Sequence, residues 1–417
     1  MNWLYNLFIR TYGTGIRAAS LRNIKARKWI EGRENWRTKL RELLPRSEQS
    51  KIWFHAASLG EAEQGLPVIQ AVKKAYPHHF ILLTFFSPSG YEHFADNPAV
   101  DGVFYLPLDT PAQAADFVSI LKPEAAVFIK YEIWLNYFKA LEKQNVPVVL
   151  APAIFRPDQF YFKAPFRSVF LPLLKRLHCI LVQNEASLKL LQSKGFSNVK
   201  ICGDTRVDRV LELARSPFED VLTARFVKGC TTLIAGSSWP EEEEILARLL
   251  PRFPELRLIL APHDISPAHL KAIEQTFGAA NCEWYSSGKL TGNRQVLVVD
   301  TIGKLSRLYR YGQIAFVGGG FGKGVHSTIE AAAYGMPVLF GPKHQNFMEP
   351  KDMIGHGFGF EVHNFEDVYR TVKLLLSQPE KRFQLSQQAI AYLSSCSGAV
   401  DKIFSVLKMI IRKTTPF

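Results

Sequence analysis

The chain has 417 residues, 47 % hydrophobic and 21 % charged, a composition that excludes a disordered, collagen-like or coiled-coil polypeptide and favours two folded domains. Lys and Arg exceed Asp and Glu by 13, which points to an anionic partner: nucleic acid, an acidic membrane or a phosphorylated substrate. Cys179, Cys202, Cys230, Cys282 and Cys396 form no CxxC pair and no Cys/His metal spacing, so neither a disulfide scaffold nor a structural zinc site is expected, and a reducing cytosolic setting fits.

Residues 1–46 carry eleven basic side chains, from Arg10 to Arg46, against Glu31, Glu34 and Glu42. The apolar residues here, from Trp3 and Leu4 to Trp29 and Ile30, are interrupted too often for a spanning helix, which needs about 20 mainly apolar residues. A secretory signal is not expected either, because Trp3-Leu4-Tyr5 leads and the charge follows. An amphipathic, Trp-bearing, basic segment suits a headgroup interface, where each Lys or Arg near an anionic surface is worth about 1 kcal/mol. Residues 1–46 therefore read as a peripheral membrane anchor. The alternatives are a basic helix packed on the protein with its charges solvated, or a nucleic-acid contact.

From residue 50 short apolar runs alternate with segments of helical period: 52–56, 80–84, 102–106, 125–129, 146–150 and 179–183. Such runs, separated by crossover helices, predict a parallel sheet and an α/β domain over 47–215. The pattern restarts at 231–236 and continues through 256–261, 296–300, 314–318 and 337–341, a second α/β domain over 216–417. The boundary is placed near residue 215, where Ser216-Pro217 interrupts a strandless stretch, and the helical close of the chain is expected to pack back on the first domain. Two open sheets in tandem imply ligands at the carboxyl ends of strands, in a cleft between facing domains. Nucleotide-sugar transferases of the GT-B type and domain-paired dehydrogenases or binding proteins share that arrangement.

Candidate chemistry falls at those strand ends. Gly60 predicts a tight turn that delivers Glu61 to the start of the helix after the first strand, and Glu132 follows the strand 125–129. A single helix-start acid is commonly only a partner for the helix dipole, worth about 0.3–1 kcal/mol; two carboxylates at two strand ends are less easily dismissed. Arg206, in Gly203-Asp204-Thr205-Arg206, could stabilise a leaving phosphate or simply sit in a surface turn. In the second domain, the strand 314–317 leads into Gly318-Gly319-Gly320-Phe321-Gly322 and on to Ser327-Thr328-Ile329-Glu330. Glycines allow close backbone approach, Ser327 is positioned to cap a helix whose amides and dipole favour a phosphate, and Glu330 can accept from ribose hydroxyls. The spacing does not match the P-loop, and a dinucleotide fingerprint lacks its acidic partner on a following strand. Pro262-His263 and Gly303-Lys304-Leu305 also lie at strand ends.

Together, His55-Ala56-Ala57-Ser58-Leu59-Gly60-Glu61, Glu132-Ile133-Trp134-Leu135-Asn136, Gly203 to Asp208, Asp300-Thr301-Ile302-Gly303 and the glycine-rich turn ending at Glu330 resemble the 3-deoxy-D-manno-octulosonic acid (Kdo) transferase family, in order along nearly the whole chain. The resemblance implies a GT-B fold of two Rossmann-like domains facing a central cleft, and transfer of Kdo from CMP-Kdo to the lipid A precursor (lipid IVA) on the cytoplasmic side of the inner membrane. By position it implies that Glu61 is the general base, that Glu132 and Arg206 stabilise the transition state, and that Pro262, His263, Gly303, Lys304, Leu305, Ser327, Thr328, Ile329 and Glu330 contact CMP. The chain departs from the family at Ser327-Thr328, where Asn-Pro is usual, at Lys304, commonly Glu, and at Arg206, often Lys. CMP-Kdo enters as a donor substrate, with no cofactor, metal or nucleic-acid partner expected. The rivals are another GT-B enzyme using a UDP-sugar, and a non-catalytic membrane- or nucleic-acid-binding protein.

Overall fold

Alternation of apolar strands with helices builds two parallel sheets of seven strands each. The computed structural model describes residues 2–45, 49–290 and 294–412. In the first sheet β1 (Lys51–Ala56), β2 (Phe80–Phe85), β3 (Gly102–Tyr105), β4 (Ala125–Phe128), β5 (Val148–Ala153), β6 (Cys179–Val182) and β7 (Val199–Ile201) run in the order β3-β2-β1-β4-β5-β6-β7. Side chains alternate across the pleat: Trp53 and Phe128 fill the core on one face, Ile52, Phe54 and Val127 the core on the other. The chain order reverses between β1 and β4, so their carboxyl ends flank the crevice where sheets of this kind bind ligands.

The second sheet comprises β8 (Thr232–Ser238), β9 (Arg257–Pro262), β10 (Cys282–Trp284), β11 (Val296–Val298), β12 (Ile314–Val317), β13 (Val338–Phe340) and β14 (Gly359–Glu361), in the order β10-β11-β9-β8-β12-β13-β14. Its reversal lies between β8 and β12. Strands β7, β10 and β14 have no counterpart among the apolar runs: each is three residues long and includes a charged residue, Lys200, Glu283 or Glu361, whereas the equally short β11 and β13 are wholly apolar.

The chain divides into one unit of Met1–Asp208 with Ser397–Phe417, and a second of Arg209–Cys396. The division falls inside the helix Thr205–Arg215 rather than near residue 215. Asp208 caps the final helix, Ala399–Ile410, by accepting from Gly398 N at 2.6 Å and Val400 N at 2.7 Å. Beyond it, the carbonyls of Leu213 and Ser216 accept from Arg310 of the second unit. The final helix buries Ile403, Val406 and Leu407 in the first unit's core, beside Ile69 and Val72.

Residues 1–46 are not a separate segment. The helices α1 (Asn2–Ser20), α2 (Ile24–Glu31) and α3 (Trp36–Leu43) belong to the first unit, and Tyr5, Ile9, Trp36 and Leu40 enter its core; Arg46 lies outside the described residues. The Tyr5 hydroxyl donates to Asp109 Oδ2 at 2.6 Å, and the fully buried Asp109 also accepts from the amides of Asn136 and Tyr137. Away from the core, α1 exposes Trp3, Leu7 and Phe8, each more than half accessible at 63 %, 51 % and 62 %.

Candidate active site

At the carboxyl end of β1 the chain enters α4 (Leu59–Ala75), with Ser58 as its N-cap. Ser58 contributes no side-chain bond; instead Glu61, in the first turn, reaches back so that Oε2 accepts from Ala57 N at 2.6 Å. Gly60 is thus a first-turn helical residue rather than a tight turn, and a Cβ there would meet nothing within 4 Å. Glu132 follows β4. The indole Nε1 of Trp134 donates to both Glu132 Oε2, at 3.1 Å, and His55 Nε2, at 3.0 Å. Since Nε2 of His55 accepts, its proton sits on Nδ1 and is given to Thr84 Oγ1 at 2.9 Å; Thr84 also accepts from Trp53 Nε1 at 2.8 Å and donates to the Phe54 carbonyl. The chain of bonds runs from Glu132 through Trp134 and His55 to Thr84 and orients each of these groups.

Burial governs the electrostatics. It drives His55 down to about 3, so the ring is neutral at physiological pH. It pushes both Glu61 and Glu132 well above the usual glutamate range, and the Glu132 charge raises Glu61 further. Lys130, held at φ +60 directly beyond β4, is lowered by burial and restrained by the charges of Glu61, Asp204 and Glu132. Arg206 couples to the same lysine, and its guanidinium is engaged with Asp204 Oδ2, Nε at 2.8 Å and Nη2 at 2.5 Å. Glu61, Glu132 and Arg206 therefore share one charged locale in the first unit.

In the second unit the reversal point is packed backbone on backbone. A Cβ on Gly320 would lie 2.5 Å from Gly341 N, and one on Gly318 would collide with the Ser237 carbonyl, so only glycine lets β12 leave the sheet here. The amides of this loop are largely committed. Buried Glu242 accepts from Gly319 N at 2.9 Å, Phe321 N at 3.3 Å and Trp239 N at 2.8 Å. Gly322 N and Gly324 N go to the Gly319 carbonyl, and His326 N to that of Gly318. Among the described residues, the amides of Ser327, Thr328 and Ile329 donate to no protein acceptor. The helix there is only Ile329–Ala332, with Thr328 as an uncapped N-cap residue, so Ser327 does not cap it and a long helix dipole is absent. Anion-binding capacity rests on three consecutive amides.

His263, following Pro262 at the end of β9, stacks against both Trp239 (centroids 4.8 Å) and His326 (4.5 Å), which are themselves joined by a hydrogen bond from Trp239 Nε1 to His326 Nε2 at 3.2 Å. Leu305 packs at the end of β8, 3.0 Å from where a Gly236 Cβ would stand. Gly303 turns at φ +82 into Lys304, whose ammonium lies 5.9 Å from the Tyr285 ring centroid. Glu330 acts electrostatically on buried Tyr309, which packs against the same end of β8. Sequence reasoning missed Lys130, Trp134 as the shared donor, and the Ser237-Ser238-Trp239 turn with Glu242. The run Ser238-Trp239-Pro240-Glu241-Glu242, a proline and acids opening a helix, is the signal that could have exposed the last.

Two doubly wound units of this topology define the GT-B class of α/β fold. Solved structures of UDP-N-acetylglucosamine 2-epimerases share it, one with a TM-score of 0.60 at 14 % identity, covering 89 % of this chain and 99 % of that one. The Neisseria meningitidis epimerase bound to UDP-GlcNAc also aligns with a TM-score of 0.60, at 16 % identity over 86 % of this chain and all of that one. Residues 34–209 match the family model described as 3-Deoxy-D-manno-octulosonic-acid transferase (kdotransferase). The 3-deoxy-D-manno-octulosonic acid transferase of Haemophilus influenzae is 29 % identical over 373 residues, 86 % of each chain, and that of Aquifex aeolicus 29 % identical over 336 residues, 78 % of this chain and 86 % of the relative. The chain is similar to these Kdo transferases over most of its length.

Proposed function

We propose that the protein is an inverting glycosyltransferase that moves Kdo from CMP-Kdo to a sugar hydroxyl of the lipid A precursor (lipid IVA) in lipopolysaccharide biosynthesis. The observation that carries the reading is the pair of buried, proton-retaining carboxyls, Glu61 and Glu132, at the reversal point of the first sheet in a chain similar to Kdo transferases. Glu61 takes the hydroxyl proton as the acceptor oxygen forms its bond to the anomeric carbon of Kdo; the bond from that carbon to the phosphate oxygen breaks, and CMP leaves with the electron pair. A base tuned toward neutrality suits that transfer, and such assistance typically contributes about 10²–10⁴-fold. Glu132 and Arg206 are assigned to transition-state stabilisation. In the second unit the amides of Ser327 to Ile329 receive the CMP phosphate, and Pro262, His263, Gly303, Lys304, Leu305 and Glu330 line the nucleotide site. The exposed Trp3, Leu7 and Phe8 beside the basic residues of α1 support a peripheral station on the cytoplasmic side of the inner membrane.

The test is product mass from CMP-Kdo and tetraacylated lipid A precursor, with wild type and Glu61→Ala. Wild type is expected to add Kdo; the variant is expected to lose about 10²–10⁴-fold in rate while CMP still raises its melting temperature. Wild-type turnover by Glu61→Ala removes that residue from the reaction, and stabilisation by UDP but not CMP transfers the reading to a UDP-sugar enzyme of the kind the fold neighbours represent.

A further inference from the structure

Directly beyond β4 the chain makes a turn from Ile129 to Glu132, closed by the Glu132 amide donating to the Ile129 carbonyl at 3.4 Å. Lys130 is its first corner and stands at φ +60. A corner of that sign is ordinarily filled by glycine, asparagine or aspartate, so the lysine is held there against its own backbone preference. Among the described residues, four other non-glycine residues have positive φ. Asn35 and Lys122 cap helices, and Asn145 follows the end of the helix Leu135–Lys143. Ser237 and Lys130 instead stand at the carboxyl ends of β8 and β4, the strands that flank the two reversal points. Backbone strain at such a place points to a side chain needed there. The Lys130 ammonium makes no ion pair or hydrogen bond among the described residues, although the charges of Glu61, Asp204 and Glu132 act on it. Arg206, the other cation of this locale, is engaged with Asp204 Oδ2.

We infer that the Lys130 ammonium pairs with the carboxylate of the sugar acid being transferred and selects an acidic donor sugar over a neutral one. This pairing rests on the transfer proposed above. In a 2-ulosonic acid the carboxylate is a direct substituent of the anomeric carbon. A donor whose anomeric carbon meets an oxygen hydrogen-bonded to Glu61 therefore brings its carboxylate into the same locale. A third carboxylate beside Glu61 and Glu132 repels both and favours the protonated, inactive form of the base unless a cation meets it. Lys130 lies two residues before Glu132, and its charge lowers the proton affinity of both acids. An ammonium suits the part: it is a compact charge with three donors on a flexible stem, able to follow a carboxylate as the anomeric carbon flattens in the transition state.

The test follows transfer to the tetraacylated lipid A precursor from CMP-Kdo and from its C1 carboxamide, which keeps the size of the group and removes its charge. The readout is the ratio of kcat/KM for the acid donor to that for the amide. Lys130→Met and Lys130→Asn are expected to lower this ratio about tenfold relative to wild type, the loss of one charge-assisted hydrogen bond. Asparagine tolerates left-handed backbone, so the second variant keeps the turn. Lys130→Arg, which restores the charge, is expected to recover most of the ratio. Equal slowing of both donors in the Met and Asn variants, or slowing of neither, leaves the ratio unchanged and overturns the pairing while Kdo transfer by wild type stands. A wild type that transfers no Kdo overturns the proposed function and the pairing together.

Discussion

Replacing Glu132 with Gln separates the two causes that raise Glu61. Glu61 is pushed up to about 7, against roughly 4.3 for an ordinary glutamate. Burial is the larger cause and the Glu132 charge the second. Glu132→Gln keeps the shape and an oxygen to accept from Trp134 Nε1, but removes the charge. The acid limb of the kcat/KM profile for Kdo transfer should therefore move to lower pH and stop short of the ordinary glutamate range, since burial remains. The position of the limb is independent of whatever plateau rate the substitution costs. A limb that stays in place shows that the two acids do not share their charge; one that falls to the unperturbed range shows that burial is not what holds the proton on Glu61.

The same pair makes stability depend on pH. Each carboxyl is raised in the folded state, so the balance is most favourable below about pH 4 and is lost as pH rises through about 7. Glu132→Gln should raise the melting temperature by several degrees at about pH 8 and leave it unchanged at about pH 4, measured calorimetrically. Tyr5→Phe removes a donor to a buried carboxyl and should cost about 1.5–3 kcal/mol in chemical denaturation, detaching α1 first as seen by amide exchange. Glu242→Gln weakens the acceptor of three amides that shape the glycine-rich loop and should lower CMP affinity about tenfold by calorimetry, with Glu61's pH limb unmoved.

Legibility in the sequence followed run length and locality. The long central strands β1, β2 and β4 are continuous apolar runs and declare a parallel sheet, whereas β7, β10 and β14 are held by neighbours already in place and carry no period of their own. Glu61 and Glu132 could be found because an acid just past an apolar strand is conspicuous. Trp134 could not, because its part depends on an indole bridging residues from β1 and the loop after β4. Glu242 resembles the solvated acids around it in the Glu241 to Glu244 run, yet it is fully buried on loop amides. The amphipathic pattern of α1 was visible, but not the inward pair Tyr5 and Ile9, which needs the buried Asp109 to be explained.

Because Asp208 caps the helix that begins at Ala399, the first unit is sewn together from the two extremities of the chain. During synthesis its last helix emerges from the ribosome only after the whole of 209–396 has been made, so the nascent first unit waits with the seats of Ile403, Val406 and Leu407 unfilled. A minimal first unit must therefore be cut as a graft, Asp208 joined through a short linker to Ser397, whereas 209–396 can be excised as one uninterrupted piece.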